Sequence, residues 1–537
     1  VNVLGGFRMS FFSYNNSNMV GYNNDQDKMP NMSMSLQYKE AGGTSDKWVN
    51  LAYYLNADYN YQNKYFLNIG TTMEASSRFG KEASEGIKFA GVKWGLFPSV
   101  QLGWLMSSEK WFNVKGIDYL KLSAGYEESG NDNVDYYAAR TYFRNLRFMK
   151  EATALKLANI QNPTIQWETN HRFNVGLQTN LLNNRLALGV EYFYGKTTNL
   201  LTRKPVSDIT GLPYMWANDG ALKNSGVEAN VNAVLVNTRN WKWEAGFSVG
   251  HYKNEITELP DGSLNYITTY ALDANGNKDL STAKTIHGYT SSIYGKNNIL
   301  TAVGSAAGVF YGYQTAGVFA SDAEAKAAGL KYPTGLVQNP YRDFKAGDVR
   351  FVDQNGDGWI SEADMVQIGD PNPDIYGNIF TNLTWKNLTL SLDFKYSLGN
   401  DIYNYQRSQL ESANGIYNQT AAVVNRWKYN GQVTDMPRTM ASTSEEWVNN
   451  ERFSDRWIED GSYLKLKKVR LTYKFPVNLS WLQGLSVYGE ATNLFTVTKY
   501  LGNDPEVSAG NSVLYQGIDT GMLPKNRSFN LGVTINL

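Results

Sequence analysis

The sequence predicts an all-β protein: a transmembrane antiparallel β-barrel of about fourteen strands. Three observations carry that expectation. Apolar and polar residues alternate over stretches of ten or more residues. The connections between these stretches alternate between short and long. The chain is polar on average, with a mean hydropathy of −0.43, yet it is 14% aromatic and holds 36 tyrosines. Outer-membrane barrels combine these properties, because residues facing lipid alternate with residues facing the lumen and hydropathy averages away. No run of about eighteen apolar residues is present to form a transmembrane helix.

The strands follow in order. "VNVLGGFRMSFF" opens the chain near 1–13 and already alternates. Strands near 49–60 and 64–75 flank the turn "YQN", and those near 97–106 and 118–128 flank "SSEKWFNVKGI". The next two, near 171–181 and 185–195, are joined by "LNN". In the second of these, Leu186, Leu188, Val190, Tyr192 and Tyr194 oppose Ala187, Gly189, Glu191 and Phe193. "NTRN" joins 226–236 to 241–253, and Lys386 alone separates 376–385 from 387–398. There, Leu388, Leu390, Leu392, Phe394, Tyr396 and Leu398 form one face. Strands near 463–475, 485–496 and 528–537 finish the pattern, the last with Phe529, Leu531, Val533, Ile535 and Leu537 on one side. A soluble sandwich also alternates, but with strands of about 5–6 residues. These strands approach the roughly 9–11 residues that a tilted strand needs to cross a bilayer.

The long connections are 14–48, 76–96, 129–170, 196–225, 254–375, 399–462 and 497–527, and every second connection is long. All long ones therefore lie at one end, which is the outer-membrane pattern of short periplasmic turns and long external loops. It makes the long loops extracellular and the C-terminus periplasmic. The insertion at 254–375 carries one helical piece, "SDAEAKAAG", with Ser321 as N-cap and Glu324 at the capping-box position.

Composition excludes several functions. With 50 basic and 50 acidic residues there is no nucleic-acid footprint. Three histidines and no cysteine leave nothing for a zinc cluster. "GKTT" at Gly195–Thr198 lacks the P-loop's first glycine, since Val190 stands there. His171 and His251 each share a face with apolar residues of a strand and read as membrane-interface residues. The expectation is no catalytic residue, no cofactor-binding residue and no enzyme. Trp216, Tyr214, Tyr403 and Tyr405 are candidate stacking platforms for sugar rings. An aromatic belt accounts for most of the other strand-end rings.

One motif points to a cation. "DQNGDGWISEAD" fits a calcium loop, with Asp353, Asn355 and Asp357 at positions 1, 3 and 5 and Gly358 at the sharp turn. Trp359 would offer its carbonyl, with Ser361 at position 9 and Asp364 at position 12. Asp364 replaces the usual Glu, so the closing arm is short. The competing reading is an Asp/Asn/Gly turn held by its own hydrogen bonds. If calcium binds, its role is to stiffen a surface loop.

Several segments together resemble the SusC/RagA-type TonB-dependent outer-membrane transporters of Bacteroidota. They include "NYQNKYFLNIGTTMEASSRFG", "FPSVQLGWLMSSEKWF", "NPTIQWETNHRFNVGLQTNLLNNRLALGVEYFYGKTTNLL", "GDVRFVDQNGDGWISEADMVQIGDPNPDIYGN" and "WIEDGSYLKLKKVRLTYKFP". The resemblance covers essentially the whole chain but only the C-terminal barrel portion of such a transporter. It implies a complete barrel of about 22 strands. It also implies an N-terminal plug, a SusD-like surface lipoprotein as lid, and the TonB complex acting through the plug. The chain opens as a strand without Met, so the plug and first strands are expected outside residues 1–537. The implied task is oligosaccharide uptake at the cell outer membrane. The alternatives are oligopeptide uptake, or a structural subunit of an outer-membrane assembly or secretion complex.

Overall fold

The computed structural model describes all residues except 25–27, 29–34, 149–151, 213, 263–264, 293, 295–297, 337–338, 478–480 and 537. Its main sheet contains fourteen long strands: β1 (Asn2–Asn24), β2 (Ser35–Tyr61), β3 (Tyr65–Ser76), β4 (Val92–Leu105), β5 (Ile117–Asn131), β6 (Glu168–Leu181) and β7 (Leu186–Thr198), followed by β8 (Ala221–Asn237), β9 (Trp241–Glu258), β10 (Ile375–Trp385), β11 (Leu388–Leu398), β12 (Tyr463–Phe475), β13 (Gly484–Thr498) and β14 (Ser528–Asn536). They follow one another in sheet order exactly as in sequence, except for one short strand, Ile87–Phe89, that pairs beside β4. Among the described residues, β1 pairs only with β2 and β14 only with β13, so each carries a free edge. The chain divides into two compact units.

The first unit comprises Val1–Lys110, Leu122–Val175 and Gly195–Leu222. Its strands pair with the register that alternation demands: Phe7 opposes Tyr53, Tyr53 opposes Met73, and Met73 opposes Leu96. These side chains make one exposed apolar row. The other face is polar, with Arg8 bonded to Glu74 at 3.2 Å and Asn68 to Asn56 at 2.7 Å. The β2–β3 turn places Gln62 and Asn63 at φ 54°, the left-handed pair that a tight hairpin needs to match strand twist. Loops 132–167 and 199–220 pack a small core of Val134, Ala138, Ile165 and Trp216.

The first hairpin corrects an expectation. Residues 14–48 read as a long loop, but β1 and β2 continue through most of that stretch, and residues 25–27 and 29–34 lie outside the described set. The two strands hold 23 and 27 residues, more than twice what a membrane crossing requires. "NNSN" and "GG" read as loop by composition. Residues 14–20 are exposed on both faces, and a ribbon of that kind needs a ladder of backbone bonds but no apolar stripe.

The second unit comprises Trp111–Lys121, Gly176–Tyr194 and Lys223–Leu537. One apolar row crosses six strands as Trp241, Trp385, Leu388, Tyr473, Val487 and Val533, each opposite the next. Trp241 and Trp385 lie 6.1 Å apart, and Tyr473 and Phe475 lie 4.9 Å apart, all at the short-turn end. That is where a membrane-interface belt belongs. On the opposite face Lys468 meets Asp393 at 2.6 Å. At the other end, residues 259–374, 399–462 and 499–527 build an assembly with cores of their own. It includes a five-stranded sheet of Tyr266–Thr269, Lys284–Ser291, Ile299–Ala302, Val309–Tyr313 and Met365–Gly369.

Candidate functional site

The long-loop assembly of the second unit holds most of the polar chemistry. Its helix α1 (Asp322–Ala328) starts where the sequence places it: the Ser321 hydroxyl accepts from the Glu324 amide, and Gly329 ends it at φ 63°. The Glu324 carboxylate reaches one residue beyond the usual capping-box donor and accepts from Ala320 N–H at 2.9 Å.

Residues 353–364 form a loop closed by its own side chains. Asp353 accepts from Gly356 and Gly358 amides at 2.7 and 2.8 Å. Asn355 accepts from the Asp357 amide at 3.0 Å, and its Nδ2 donates to Asp357 Oδ2 at the same distance. Asp357 also accepts from Trp359 N–H and from Leu272 N–H of a neighbouring loop, both at 2.8 Å. Asp364 is fully buried and holds two ends together, accepting from Gln354 N–H at 2.9 Å and Ser361 N–H at 2.7 Å. Ser361 caps the one-turn helix that follows. Burial pushes the Asp364 carboxyl up to about 6; the Ser361 and Gln354 amides oppose the rise, and the charges of Asp353 and Asp357 add to it.

The loop thus gathers Asp353, Asn355, Asp357, Ser361 and Asp364, with their oxygens engaged by amides. Among the described residues no three His, Cys, Asp or Glu side chains are arranged to hold a metal ion. Trp359 plays a part that the motif did not foresee. Its ring is 1% exposed and its Nε1 donates to the Asp273 carbonyl at 3.0 Å. It stands edge-on to Tyr341 at 5.7 Å, with Lys331 Nζ 5.2 Å from its centroid.

Two of the four rings weighed as sugar platforms are buried. Trp216 is 8% and Tyr403 2% exposed. Trp216 donates to Asp135 at 2.8 Å and lies under Arg203, which also covers Tyr214. Tyr403 packs edge-on against Phe453 and Tyr405. Trp216 and Tyr403 belong to loop cores, with Tyr405 packed against the second, since a large ring on a loop buries much area there.

Sequence reading missed the node that joins two loops. Asp348 is fully buried and accepts a two-pronged bond from Arg438, Nε at 2.7 Å and Nη2 at 2.9 Å. It also accepts from Asn450 Nδ2 at 3.0 Å and from Lys345 N–H at 2.8 Å. A buried cation, Arg452, sits among the rings of Phe351, Tyr313 and Tyr332 at 4.4, 4.8 and 5.1 Å. It donates to the Val448 and Asn449 carbonyls at 2.7 and 3.1 Å. No local pattern marks either residue.

No family model matches the chain. TonB-dependent receptor P3 of Formosa agariphila is 29% identical over 490 residues, covering 89% of this chain and 44% of that protein. TonB-dependent receptor SusC of Bacteroides thetaiotaomicron is 26% identical over 507 residues, covering 90% of this chain and 43% of that protein. A solved structure described as the RagAB peptide transporter matches with a TM-score of 0.71 at 22% identity, covering 99% of this chain and 53% of that chain. The chain spans about half the length of the relatives it matches. These relatives are named as receptors and transporters, not as enzymes. The likeness points to an outer-membrane setting, and by sequence and fold the chain is similar to the β-barrel portion of SusC/RagA-type TonB-dependent transporters.

Proposed function

We propose that this chain supplies barrel wall and external loops to a SusC-like, TonB-dependent outer-membrane importer of oligosaccharides. In this reading a SusD-like lipoprotein lids the long-loop end. The TonB complex acts through a plug outside residues 1–537, and the free edges of β1 and β14 pair with the rest of the wall. The observation that carries the reading is connection parity. Turns such as 182–185, 238–240 and 386–387 alternate with loops such as 259–374 and 399–462. A nutrient barrel needs its bulk outside, where substrate arrives. Oligopeptide uptake is the second reading, favoured by the fold match to a structure described as a peptide transporter.

The test is made in intact cells. Asn511→Cys, in a long loop, should react with an impermeant thiol reagent, whereas Asn237→Cys, at a short turn, should react only after the outer membrane is breached. Deleting the chain should stop uptake of an oligosaccharide and spare short peptides. Reversed labelling sinks the orientation, and loss of peptide uptake alone sinks the sugar assignment.

Calcium at residues 353–364 is a subordinate proposal. It is supported by the ligand spacing and by the crowding of Asp364 with Asp353 and Asp357. Amides already occupy these oxygens, so affinity is expected to be low, on the order of 10⁻³ M. Calcium added to chelated protein should slow amide exchange across the loop, and Asp357→Ala should abolish the slowing. Identical exchange with and without calcium leaves a hydrogen-bonded turn.

A further inference from the structure

We propose that a cavity of about 210 Å³ below the long loops of the second unit binds the carboxylate of an acidic oligosaccharide. The proposal rests on the importer reading of the chain and names its substrate class. β11 and β12 supply Lys395 and Tyr463 to the wall of the cavity, and the loop 499–527 supplies Glu506, Ser508, Gln516 and Lys525. Alternation puts Lys395 and Lys465 on the face opposite Phe394, Tyr396, Leu464 and Leu466, which is the lumen side of the strands.

Lys395 and Lys465 stand directly opposite each other across β11 and β12. Like charges in such a pair destabilise a sheet unless an anion joins them. Glu506 does so, at 2.6 Å from Lys395 and 2.5 Å from Lys465, and it also takes Lys525 at 3.2 Å and the Tyr463 hydroxyl at 3.0 Å. Burial opposes ionisation of Glu506, but Lys395 and Lys465 overcome it and hold its carboxyl well below the usual range. Asp504 takes Lys465 on both oxygens, at 3.1 and 3.2 Å.

Three lysines therefore share two carboxylates, leaving one positive charge in excess. Lys465 is spent: its side chain is 4% exposed and its three bonds all go to Asp504 and Glu506. Lys465 ties the loop to β12 through both carboxylates. The excess charge sits on Lys395 and Lys525, whose side chains are 40% and 57% exposed and each bond only Glu506 among the contacts described. An ammonium has three donors, so each retains two for a ligand. The charged residues lining the cavity are Lys395, Lys525 and the neutralised Glu506. Among the contacts described, Ser508 keeps its hydroxyl proton and Gln516 its amide oxygen for sugar hydroxyls, whereas Asn400 and Tyr463 are engaged with Ser397, Gly461 and Glu506.

The test uses the complex containing this chain, purified from the outer membrane, and three probes of similar size: a uronic-acid oligosaccharide, its neutral counterpart and a peptide with a free C-terminus. The acidic glycan should bind about tenfold more tightly than the neutral one. Lys525→Gln and Lys395→Gln should each remove most of that preference by weakening acidic-glycan binding, with the heat stability of the barrel unchanged. Equal binding of the two glycans, or a preference that survives both substitutions, overturns the proposal. So does a lysine-dependent preference seen for the peptide and not for the glycan. Binding of neutral glycan without acidic preference fails the cavity alone; binding of none of the probes fails the importer reading instead.

Discussion

Asp348→Ala is expected to destabilise the long-loop assembly by about 3 kcal/mol, the lower end of what removing one partner of a buried ion pair costs. The cost comes from what is left behind. Arg438 loses both of its bonds to Asp348, and Asn450 Nδ2 and Lys345 N–H lose their acceptors. Arg438 keeps Glu446 at 3.5 Å and its side chain is 16% exposed, so it is not stranded completely. That residual contact is why the lower end applies. Asn450 also accepts from Val349 N–H at 3.0 Å, so the loss spreads to the strand Val349–Phe351 in the Phe319, Phe344 and Val448 core. Hydrogen exchange on the intact membrane protein should show faster opening in 345–351 and 436–450. The transmembrane strands should keep their protection, because their ladders do not involve Asp348. Unchanged exchange in both segments would show that the apolar core alone fixes the two loops. Asp348→Asn separates shape from charge: it keeps an acceptor for Arg438 and should cost less.

The division between what the sequence disclosed and what it hid follows the physics of each region. All fourteen wall strands are legible because lipid imposes a two-residue period on them. The row from Trp241 through Leu388 to Val533 is that period seen across the sheet. The upper part of the first hairpin is hidden because water on both faces imposes no period. Asn15, Asn16 and Ser17 pair with Ser45, Thr44 and Gly43 in the backbone ladder. In the loop assembly the strands hold two to eight residues, and their partners are remote. Tyr313 bridges to Ser454, and Asp348 meets a guanidinium 90 residues away. Such pairings leave no local signal. The capped helix at Asp322–Ala328 was legible for the opposite reason, since a cap is written within four residues.

The loop at 353–364 was found by its carboxylates, yet its largest energetic contribution comes from Trp359. Trp359→Ala should destabilise the surrounding loops by about 3–5 kcal/mol, the range for emptying a buried aromatic site. Beyond burying its ring, Trp359 joins three segments. Its Nε1 ties it to Asp273, and its ring meets Gly276, where an added Cβ would lie 2.9 Å away. Its neighbours in sequence bond to a third segment: Lys331 N–H donates to Gly358, and Ile360 N–H donates to Lys331, both at 2.9 Å. Removing the ring therefore frees residues 271–279 and 331–341 together. Trp359→Phe keeps most of the packing and loses one neutral hydrogen bond, so about 1 kcal/mol is expected. Asp353→Ala removes the acceptor for two amides at the loop surface and should open 353–358 alone. Exchange rates in the three segments distinguish the cases. Trp359→Ala must loosen all three, Asp353→Ala only its own. If Asp353→Ala loosens all three as strongly as Trp359→Ala, the carboxylates rather than the ring organise this part of the assembly, and the anchor assigned to Trp359 is wrong.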